Sequence, residues 1–174
     1  MLDKEKARHS FGRAAALYDE TAVLQLEVGQ RMLERLDYIR IEPQVILDIG
    51  CGTGALTEGL MQRYPRAEVV ALDFALPMLL RTRQRGRWLR RPRCLCADLD
   101  ALPLADQSVD LVFANAALQW SARPAETFAD IARVLKPGGL CMFSSFGPDT
   151  LFELRAAWAE VDPGDHVHQF IDMH

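Results

Sequence analysis

Short apolar runs alternate with helical stretches through most of the chain. Five runs, each followed by turn residues, predict buried strands at Val45–Ile49, Glu68–Leu72, Arg93–Ala97, Val109–Asn115 and Gly139–Ser145. Helical spacing between them predicts helices at Ala55–Arg63, Pro77–Arg85 and Pro124–Leu135, the last ended by Lys136-Pro137-Gly138-Gly139. Strands that alternate with helices predict an α/β fold, Rossmann-like, with a largely parallel sheet flanked by helices.

The two ends of the chain carry helical patterns of their own. Leu24, Val28, Met32 and Leu36 are spaced by four, and we predict helices over residues 3–18 and 22–38. A helix-like stretch over residues 149–160 is followed by a turn at Asp162-Pro163-Gly164, and the sequence stops inside HQFIDMH. That ending favours a fold truncated after the fifth strand over a complete five-stranded domain. We therefore expect N-terminal helices over residues 1–40, a core over 41–148 and an incomplete segment over 149–174.

Composition limits the class of protein. With 49% hydrophobic and 25% charged residues, the chain fits one globular domain and neither a disordered nor a fibrous class. No apolar run approaches the roughly 18 residues that span a bilayer, and the charged start lacks a secretory signal, so we expect a soluble, cytoplasmic protein. The spacing of the four cysteines favours neither a disulfide framework nor a zinc site.

Positive charge is concentrated in one block. The net charge is -4, yet seven arginines lie between Arg81 and Arg93. Such a block could face an acidic partner, such as nucleic acid, a phosphorylated ligand or an acidic carrier protein. A solvated helix and loop whose arginines pair with nearby acids is the simpler alternative. Trp88 is the one aromatic residue in the block, which is weak support for a single-strand binder.

A glycine-rich loop follows the first predicted strand, in VILDIGCGTGALTEGL. Glycines allow a backbone to approach a ligand closely, and the helix that opens after Gly54 offers unpaired N–H groups. The spacing of Gly50, Gly52 and Gly54 is G-x-G-x-G, whereas a dinucleotide site reads G-x-G-x-x-G. Asp48 beside the loop would repel a pyrophosphate but suits a ligand with an ammonium group. A dinucleotide dehydrogenase is therefore disfavoured.

Two further acids end the next predicted strands. Asp73 can accept both hydroxyls of a ribose, because an ionised carboxylate has two acceptor oxygens. Asp98 could accept from an adenine amino group, and Met78 could pack on the ring. Each acid alone could equally be a helix cap or a turn residue. Their shared position at carboxyl ends of strands, where open α/β sheets bind ligands, favours a site.

Taken together, LDIGCGTG, Asp73, the pair Asp98-Leu99 before LPLADQSVDLVFANAALQW, and RVLKPGG resemble class I S-adenosylmethionine-dependent methyltransferases over roughly residues 7–145. The resemblance implies S-adenosylmethionine as cofactor and S-adenosylhomocysteine as product. It places the three glycines near the methionine part and the ribose, Asp73 at the ribose hydroxyls, and Asp98 with Leu99 at the adenine. It also assigns to the cofactor site Asp48, Phe74, Met78, Asn115 and Ala116.

A narrower resemblance is carried by ARHSFGRAAALYDETAVLQ, by ALQWSARPAETFADIARVLKPGG with the stretch that follows it, and by HVHQFIDMH. These segments are similar to the biotin-pathway family that methylates the free carboxylate of malonyl-acyl carrier protein. The family implies an acidic carrier as partner, which the Arg81–Arg93 block could dock. It also implies Tyr18 facing the cofactor and Gln119 and Trp120 at the substrate entrance. Packing on the core is the alternative for Tyr18 and Trp120.

Other functions remain open at this point. A related protein of respiratory complex I assembly hydroxylates an arginine of its partner, and the DTLFELR stretch is similar to it. The NAALQW segment also fits an enzyme that methylates a small free acid such as trans-aconitate. A binding module for S-adenosylmethionine or nucleic acid, without catalysis, is the non-enzyme alternative. A malonyl carboxylate is ionised at neutral pH, so the methyltransferase would need no general base.

Overall fold

Five parallel strands form one sheet in the order β3-β2-β1-β4-β5. The computed structural model describes residues 4–15, 17–86, 89–147 and 149–161. The strands are β1 (Val45–Ile49), β2 (Glu68–Asp73), β3 (Arg93–Cys96), β4 (Val109–Asn115) and β5 (Leu135–Ser144). The predicted α/β class with a largely parallel sheet is confirmed.

The direction of chain progress reverses at β1. From β1 the chain moves outward through β2 to β3, and it then returns to place β4 on the other side of β1. Asp48 pairs with Ala71 of β2 and with Phe113 of β4, so it lies at the middle of the sheet. The loops after β1 and β4 separate above this point, and open α/β sheets bind ligands in the resulting crevice.

Helices cover both faces of the sheet. Before the sheet come α1 (Lys4–Ala14), α2 (Tyr18–Thr21) and α3 (Val23–Arg35), and between the strands lie α4 (Ala55–Arg63), α5 (Leu76–Thr82) and α6 (Pro124–Val134). Neighbouring strand residues point to opposite faces, so Leu47 and Val112 join one buried cluster while Ile46 and Phe113 join another. Two apolar faces explain why the strands read as continuous hydrophobic runs.

Several element boundaries differ from the predictions. The helix predicted over residues 3–18 ends at Ala14, where the N–H of Leu17 donates to the Ala14 carbonyl and closes a turn. The helix predicted to reach Arg85 ends at Thr82, and Gly86 soon follows with φ 86°, a conformation that ends helices.

The fifth strand begins earlier than predicted, directly after α6. Leu135 pairs with Val109, and regular pairing resumes at Leu140 with Leu111. The turn residues Lys136-Pro137-Gly138-Gly139 therefore lie inside β5, as an irregularity in its register. Gly138 adopts φ 80° there.

The described residues fall into two compact units that divide after Ser144. The second contains α7 (Phe152–Val161), which begins three residues later than predicted. The predicted turn at Asp162-Pro163-Gly164 and the HQFIDMH segment lie outside the described residues. Across the described part of the chain, no helix has the length and apolar character needed to cross a membrane. No group of three or more potential metal ligands occurs in the same part.

Candidate active site

A cavity opens at the carboxyl ends of the strands, where β1 and β4 separate. It encloses about 680 Å³, a volume that includes the open space at its mouth. Its walls come from α1, α2 and the segments after β1, β2, β3 and β4. The sequence predicted many of these lining residues, namely Tyr18, Gly50, Gly52, Asp73, Phe74, Met78, Asp98, Leu99, Asn115, Ala116 and Trp120.

The glycine loop forms one wall through its backbone. Gly50 and Gly52 line the cavity with φ of 69° and 56°, values that favour glycine. A Cβ atom on Gly50 would lie 2.5 Å from the Cβ of Ala117, so the loop passes closer to the β4 side than any side chain would allow.

Gly54 was expected to approach the ligand but is absent from the described cavity lining. It precedes α4 with φ 83°, and a Cβ there would meet Thr82 of α5 at 2.8 Å. The glycine therefore lets the turn before α4 approach Thr82 of α5.

Asp73 presents a buried carboxylate at the end of β2. One oxygen accepts from the N–H of Gly52 at 3.0 Å and the other from the N–H of Ala75 at 2.8 Å. Burial raises the pKa of Asp73 to about 6, although these backbone hydrogen bonds oppose the shift. Because each carboxylate oxygen has two acceptor positions, the group can still accept from two hydroxyls of a ligand.

Asp48 lies in a smaller hollow that adjoins the main cavity and shares Tyr18 and the glycine loop with it. Its carboxylate accepts the hydroxyl of Thr57 at 2.5 Å. Burial raises its pKa to about 7; the Thr57 bond lowers the pKa and the charge of Asp73 raises it. A cationic group in this hollow would favour the ionised form. Asp48 thus has the position that suits an ammonium group but is not part of the main cavity wall.

A flat apolar wall lies on the β2 and β3 side. Met78 is 1% exposed and Leu99 9%, and both line the cavity together with Phe74. Asp98 stands at the edge of this wall, and its carboxylate also accepts the N–H of Asp100 at 3.0 Å. An apolar surface with a hydrogen-bond acceptor at its rim suits an aromatic base that carries an amino group.

Asn115 and Ala116 form the opposite wall at the end of β4. The Asn115 amide donates to the carbonyl of Gln25 at 2.8 Å and its oxygen accepts from the hydroxyl of Ser144 at 2.8 Å. Ala116 adopts φ 49°, unusual for a residue with a side chain. Its N–H donates to the hydroxyl of Ser144 at 3.0 Å.

Aromatic side chains close the cavity from the N-terminal side. The ring of Phe11 lies edge-on to Trp120 at 5.2 Å, to Phe74 at 6.0 Å and to Tyr18 at 6.3 Å between centroids. Burial, followed by the charges of Asp73 and Asp19, raises the pKa of Tyr18, so its hydroxyl stays protonated. Sequence reasoning missed Phe11. Its spacing of seven residues from Tyr18, within one predicted helix, was the signal that could have found it.

Gln119, predicted at the substrate entrance, has a buried side chain in the structure. It is 8% exposed and is absent from the described lining of the cavity. Its amide donates to the carbonyl of Ala116 at 2.7 Å, so the side chain folds back beneath the turn after β4. Gln119 therefore supports the wall formed by Ala116, whereas Trp120, one residue later, lines the cavity itself.

Part of the arginine block serves the fold. Arg90 donates to the carbonyls of Met61, Tyr64 and Ala67, and Arg93 pairs with Glu68 at 2.8 Å. Arg85 contacts Asp19, Thr53 and Glu58. Within the block, the described arginines that are exposed are Arg81, Arg83, Arg91 and the Glu68-paired Arg93. Arg87 and Trp88 lie outside the described residues. Of the six described arginines of the block, Arg85 and Arg93 pair with nearby acids, as the simpler alternative expects, and Arg90 binds backbone carbonyls.

The parallel sheet with a cavity at its switch point defines a Rossmann-like α/β protein. A family model for a methyltransferase domain matches residues 47–143, and the chain belongs to that family. The class of protein that the sequence motifs indicated is confirmed.

Relatives and solved structures agree with this membership. The chain is 53% identical to a protein of Halorhodospira halophila and 50% identical to one of Laribacter hongkongensis, both named malonyl-(acyl-carrier protein) O-methyltransferase. Each match covers 99% of the chain but only 59% and 61% of the relative, so the chain spans about three fifths of their length. A Mesorhizobium loti S-adenosylmethionine-dependent methyltransferase superimposes with TM-score 0.58 at 30% identity, covering 66% of the chain and 52% of that structure.

A methyltransferase from Thermotoga maritima shares the fold. It superimposes with TM-score 0.69 at 19% identity and covers 95% of this chain and 74% of that one.

Proposed function

We propose that this chain binds S-adenosylmethionine and acts in methyl transfer to the free carboxylate of a malonyl group carried by an acyl carrier protein. The observation that carries the proposal is the cavity itself, in which a diol acceptor, a flat apolar wall and a glycine loop face one space. The relatives that carry the malonyl-carrier name match along almost the whole chain. They support this substrate over a partner arginine or a small free acid.

The residues present fit this cofactor. Asp73 retains acceptor positions for both ribose hydroxyls, and Gly50 and Gly52 present the glycine loop to the cavity without a side chain. Met78 and Leu99 supply the surface for the adenine ring, with Asp98 at its edge. Asp48 supplies negative charge in the adjoining hollow for the ammonium group.

The chemistry requires alignment and exclusion of water more than proton transfer. When bound, the cofactor supplies an electrophilic methyl group on its sulfonium. A malonyl carboxylate is already ionised at neutral pH, so this chain needs no general base. Phe11, Tyr18 and Trp120 form an apolar rim that removes water from an incoming carboxylate, which raises the reactivity of an oxygen nucleophile. The protonated hydroxyl of Tyr18 is a donor that can orient that carboxylate.

The carrier would dock on two exposed arginines of the block, Arg81 and Arg83. Arg81 and Arg83 lie at the end of α5, on the outer side of the segment that supplies Met78 to the cavity. Replacing both by glutamate should raise the KM for the carrier-bound substrate and leave a free malonyl thioester little affected. Reversal of Arg93, which already pairs with Glu68, is the matched control. Equal effects on both substrates would contradict docking at this surface.

The function is tested by incubating the protein with S-adenosylmethionine and malonyl-loaded carrier protein, followed by intact-mass spectrometry. We expect one added methyl group that disappears on mild ester hydrolysis, together with saturable binding of S-adenosylhomocysteine. Methylation of trans-aconitate, with none of the malonyl-loaded carrier, would show that the substrate is a small free acid and would contradict the carrier as substrate. Hydroxylation of a protein arginine, or salt-dependent nucleic-acid binding without methyl transfer, would overturn it.

A further inference from the structure

One polar cluster joins the N-terminal helices to the glycine loop. Asp19 follows Tyr18 in α2, and both of its carboxylate oxygens are engaged. One accepts the hydroxyl of Thr53, a residue of the loop between Gly52 and Gly54. The other accepts from the guanidinium of Arg85 at 2.6 Å. The residue next to Tyr18 is therefore fixed to the glycine loop, which forms one wall of the cavity.

Arg85 contacts three separate parts of the protein. Besides Asp19, its Nε donates to the carbonyl of Thr53 at 3.1 Å, and its Nη1 lies 3.5 Å from the carboxylate of Glu58 in α4. The side chain is 29% exposed, so these contacts are partly shielded from solvent. A planar guanidinium can satisfy several acceptors at once, which a lysine ammonium on a flexible stem does less well.

The position of α2 depends on such contacts. The helix has four residues, all described, and none of them is buried. A helix of this length is unstable by itself, because its nucleation cost exceeds the hydrogen bonds it forms. Tyr18 itself packs against Phe11 and the apolar cluster around Met78, and the polar cluster around Asp19 adds a second restraint on α2.

We propose that Arg85 and Asp19 form a latch that holds Tyr18 over the cavity, and that they are positioning residues for cofactor binding. The proposal rests on the proposed function for the identity of the ligand. One guanidinium holds both sides of the latch, because Arg85 binds α2 through Asp19 and the glycine loop through the Thr53 carbonyl. Breaking the latch leaves a population with Tyr18 displaced and the cavity open, and apparent affinity falls in proportion to the closed fraction.

The first test uses the ligand-free protein. In Arg85→Gln and in Asp19→Asn, amide hydrogen exchange in α1 and α2 should quicken several-fold, while β1 and β4 exchange as before. Arg83→Gln is the matched control, because Arg83 is an exposed arginine two residues earlier in the same segment. Unchanged exchange in α1 and α2 would overturn the latch whether or not the chain binds S-adenosylmethionine. If Arg85→Gln failed to fold, Arg85→Lys should show the same change in smaller degree.

The second test is a double-mutant cycle on S-adenosylhomocysteine affinity by calorimetry. Each single variant should weaken binding about fivefold to tenfold, as expected when the closed fraction falls to about a tenth or a fifth. The double variant should be no weaker than either single one, because both break the same latch. In a Tyr18→Ala background, Arg85→Gln should have no further effect. Additive losses, or an equal loss in that background, would show that Arg85 does not act through Tyr18.

Failure of this proposal is distinguishable from failure of the proposed function. If the protein binds no S-adenosylhomocysteine but the variants show the expected exchange pattern, the latch is supported and the proposed function is contradicted. A protein that binds the ligand equally well in all variants would retain the function and lose the latch.

Discussion

Thr57 donates its hydroxyl to Asp48 at 2.5 Å, and both side chains are buried. The bond joins α4 to the central strand of the sheet. It also favours the ionised form of a carboxylate whose burial raises the pKa to about 7. A buried acid with this pKa is held close to a change of charge at neutral pH.

Thr57→Val keeps the shape of the side chain and removes the donor. We expect it to destabilise the protein by about 1–3 kcal/mol at pH 8, where an ionised Asp48 would lose its partner. The loss should be smaller at pH 6, where the carboxyl is largely protonated. Urea unfolding at the two pH values measures the difference. Thr21→Val, at an exposed position, controls for β-branched effects, and an equal loss at both pH values would contradict the argument.

The stability of the ligand-free protein should fall as the pH rises through the range of these two acids. The pKa is raised to about 7 for Asp48 and to about 6 for Asp73, so the folded state holds their protons more tightly than the unfolded state. Their contribution is full below about pH 4 and is lost as the pH passes 6 and 7. Asp48→Asn lacks this ionisation, so the unfolding free energy of the variant minus that of the wild type should increase from pH 5 to pH 8. A constant difference across that range would contradict the assignment.

Binding of a cation should release protons from the same acids. The affinity for S-adenosylmethionine should increase between pH 6 and pH 8, because its positive charge favours ionised Asp48 and Asp73. S-adenosylhomocysteine lacks the sulfonium charge and should show a weaker dependence. Calorimetry at pH 6.5 in two buffers of different ionisation enthalpy counts the protons released. An identical proton count for both ligands would show that the sulfonium charge is not sensed.

Gly50 and Gly138 both have positive φ, and comparing alanine variants of the two distinguishes the cost of backbone strain from the cost of a steric clash. A Cβ on Gly138 would meet nothing within 4 Å, whereas one on Gly50 would lie 2.5 Å from Ala117. Gly138→Ala should lower the unfolding free energy by about 1–2 kcal/mol, because alanine is strained in the left-handed backbone conformation. Gly50→Ala should cost a further 1–3 kcal/mol or so from overpacking, and should abolish cofactor binding. Thermal unfolding and S-adenosylhomocysteine titration measure both effects. Equal costs would mean that the loop can move away from Ala117.

Arg90 and Arg91 are adjacent and should behave differently. The guanidinium of Arg90 donates at 2.6 Å to the Met61 carbonyl and at 2.7 Å to that of Tyr64, at the end of α4. Arg90→Ala leaves these carbonyls without that donor and should lower the unfolding free energy by about 1–3 kcal/mol. Arg91 is exposed, so Arg91→Ala should change it by less than about 0.5 kcal/mol. Chemical denaturation compares the two, and similar losses would refute a structural role specific to Arg90.

The sheet and the cavity could be predicted from sequence because their signals are local. Buried parallel strands read as apolar runs, and Asp48, Asp73 and Asp98 each mark the end of one. Periodicity could not separate α1 from α2, since the break after Ala14 comes from a turn rather than from a proline or glycine. Sequence reasoning also could not show that, of the neighbours Gln119 and Trp120, Trp120 is the one that lines the cavity.

The arginine block shows a second limit of sequence reasoning. Which arginine pairs with which acid depends on partners distant along the chain, such as Asp19 for Arg85. Charge counting detects the block but not these pairings, so the paired and the exposed members could be separated only in three dimensions.

The backbone of Ala116 bears on how the site meets its ligand. A left-handed conformation costs a residue with a side chain about 1–2 kcal/mol, and hydrogen bonds from Gln119 and to Ser144 hold it in place. This cost is part of the folding free energy, so the turn after β4 already has its shape in the ligand-free protein. Binding then forfeits less conformational entropy at this wall, and ligand-induced ordering is left to the N-terminal side of the cavity.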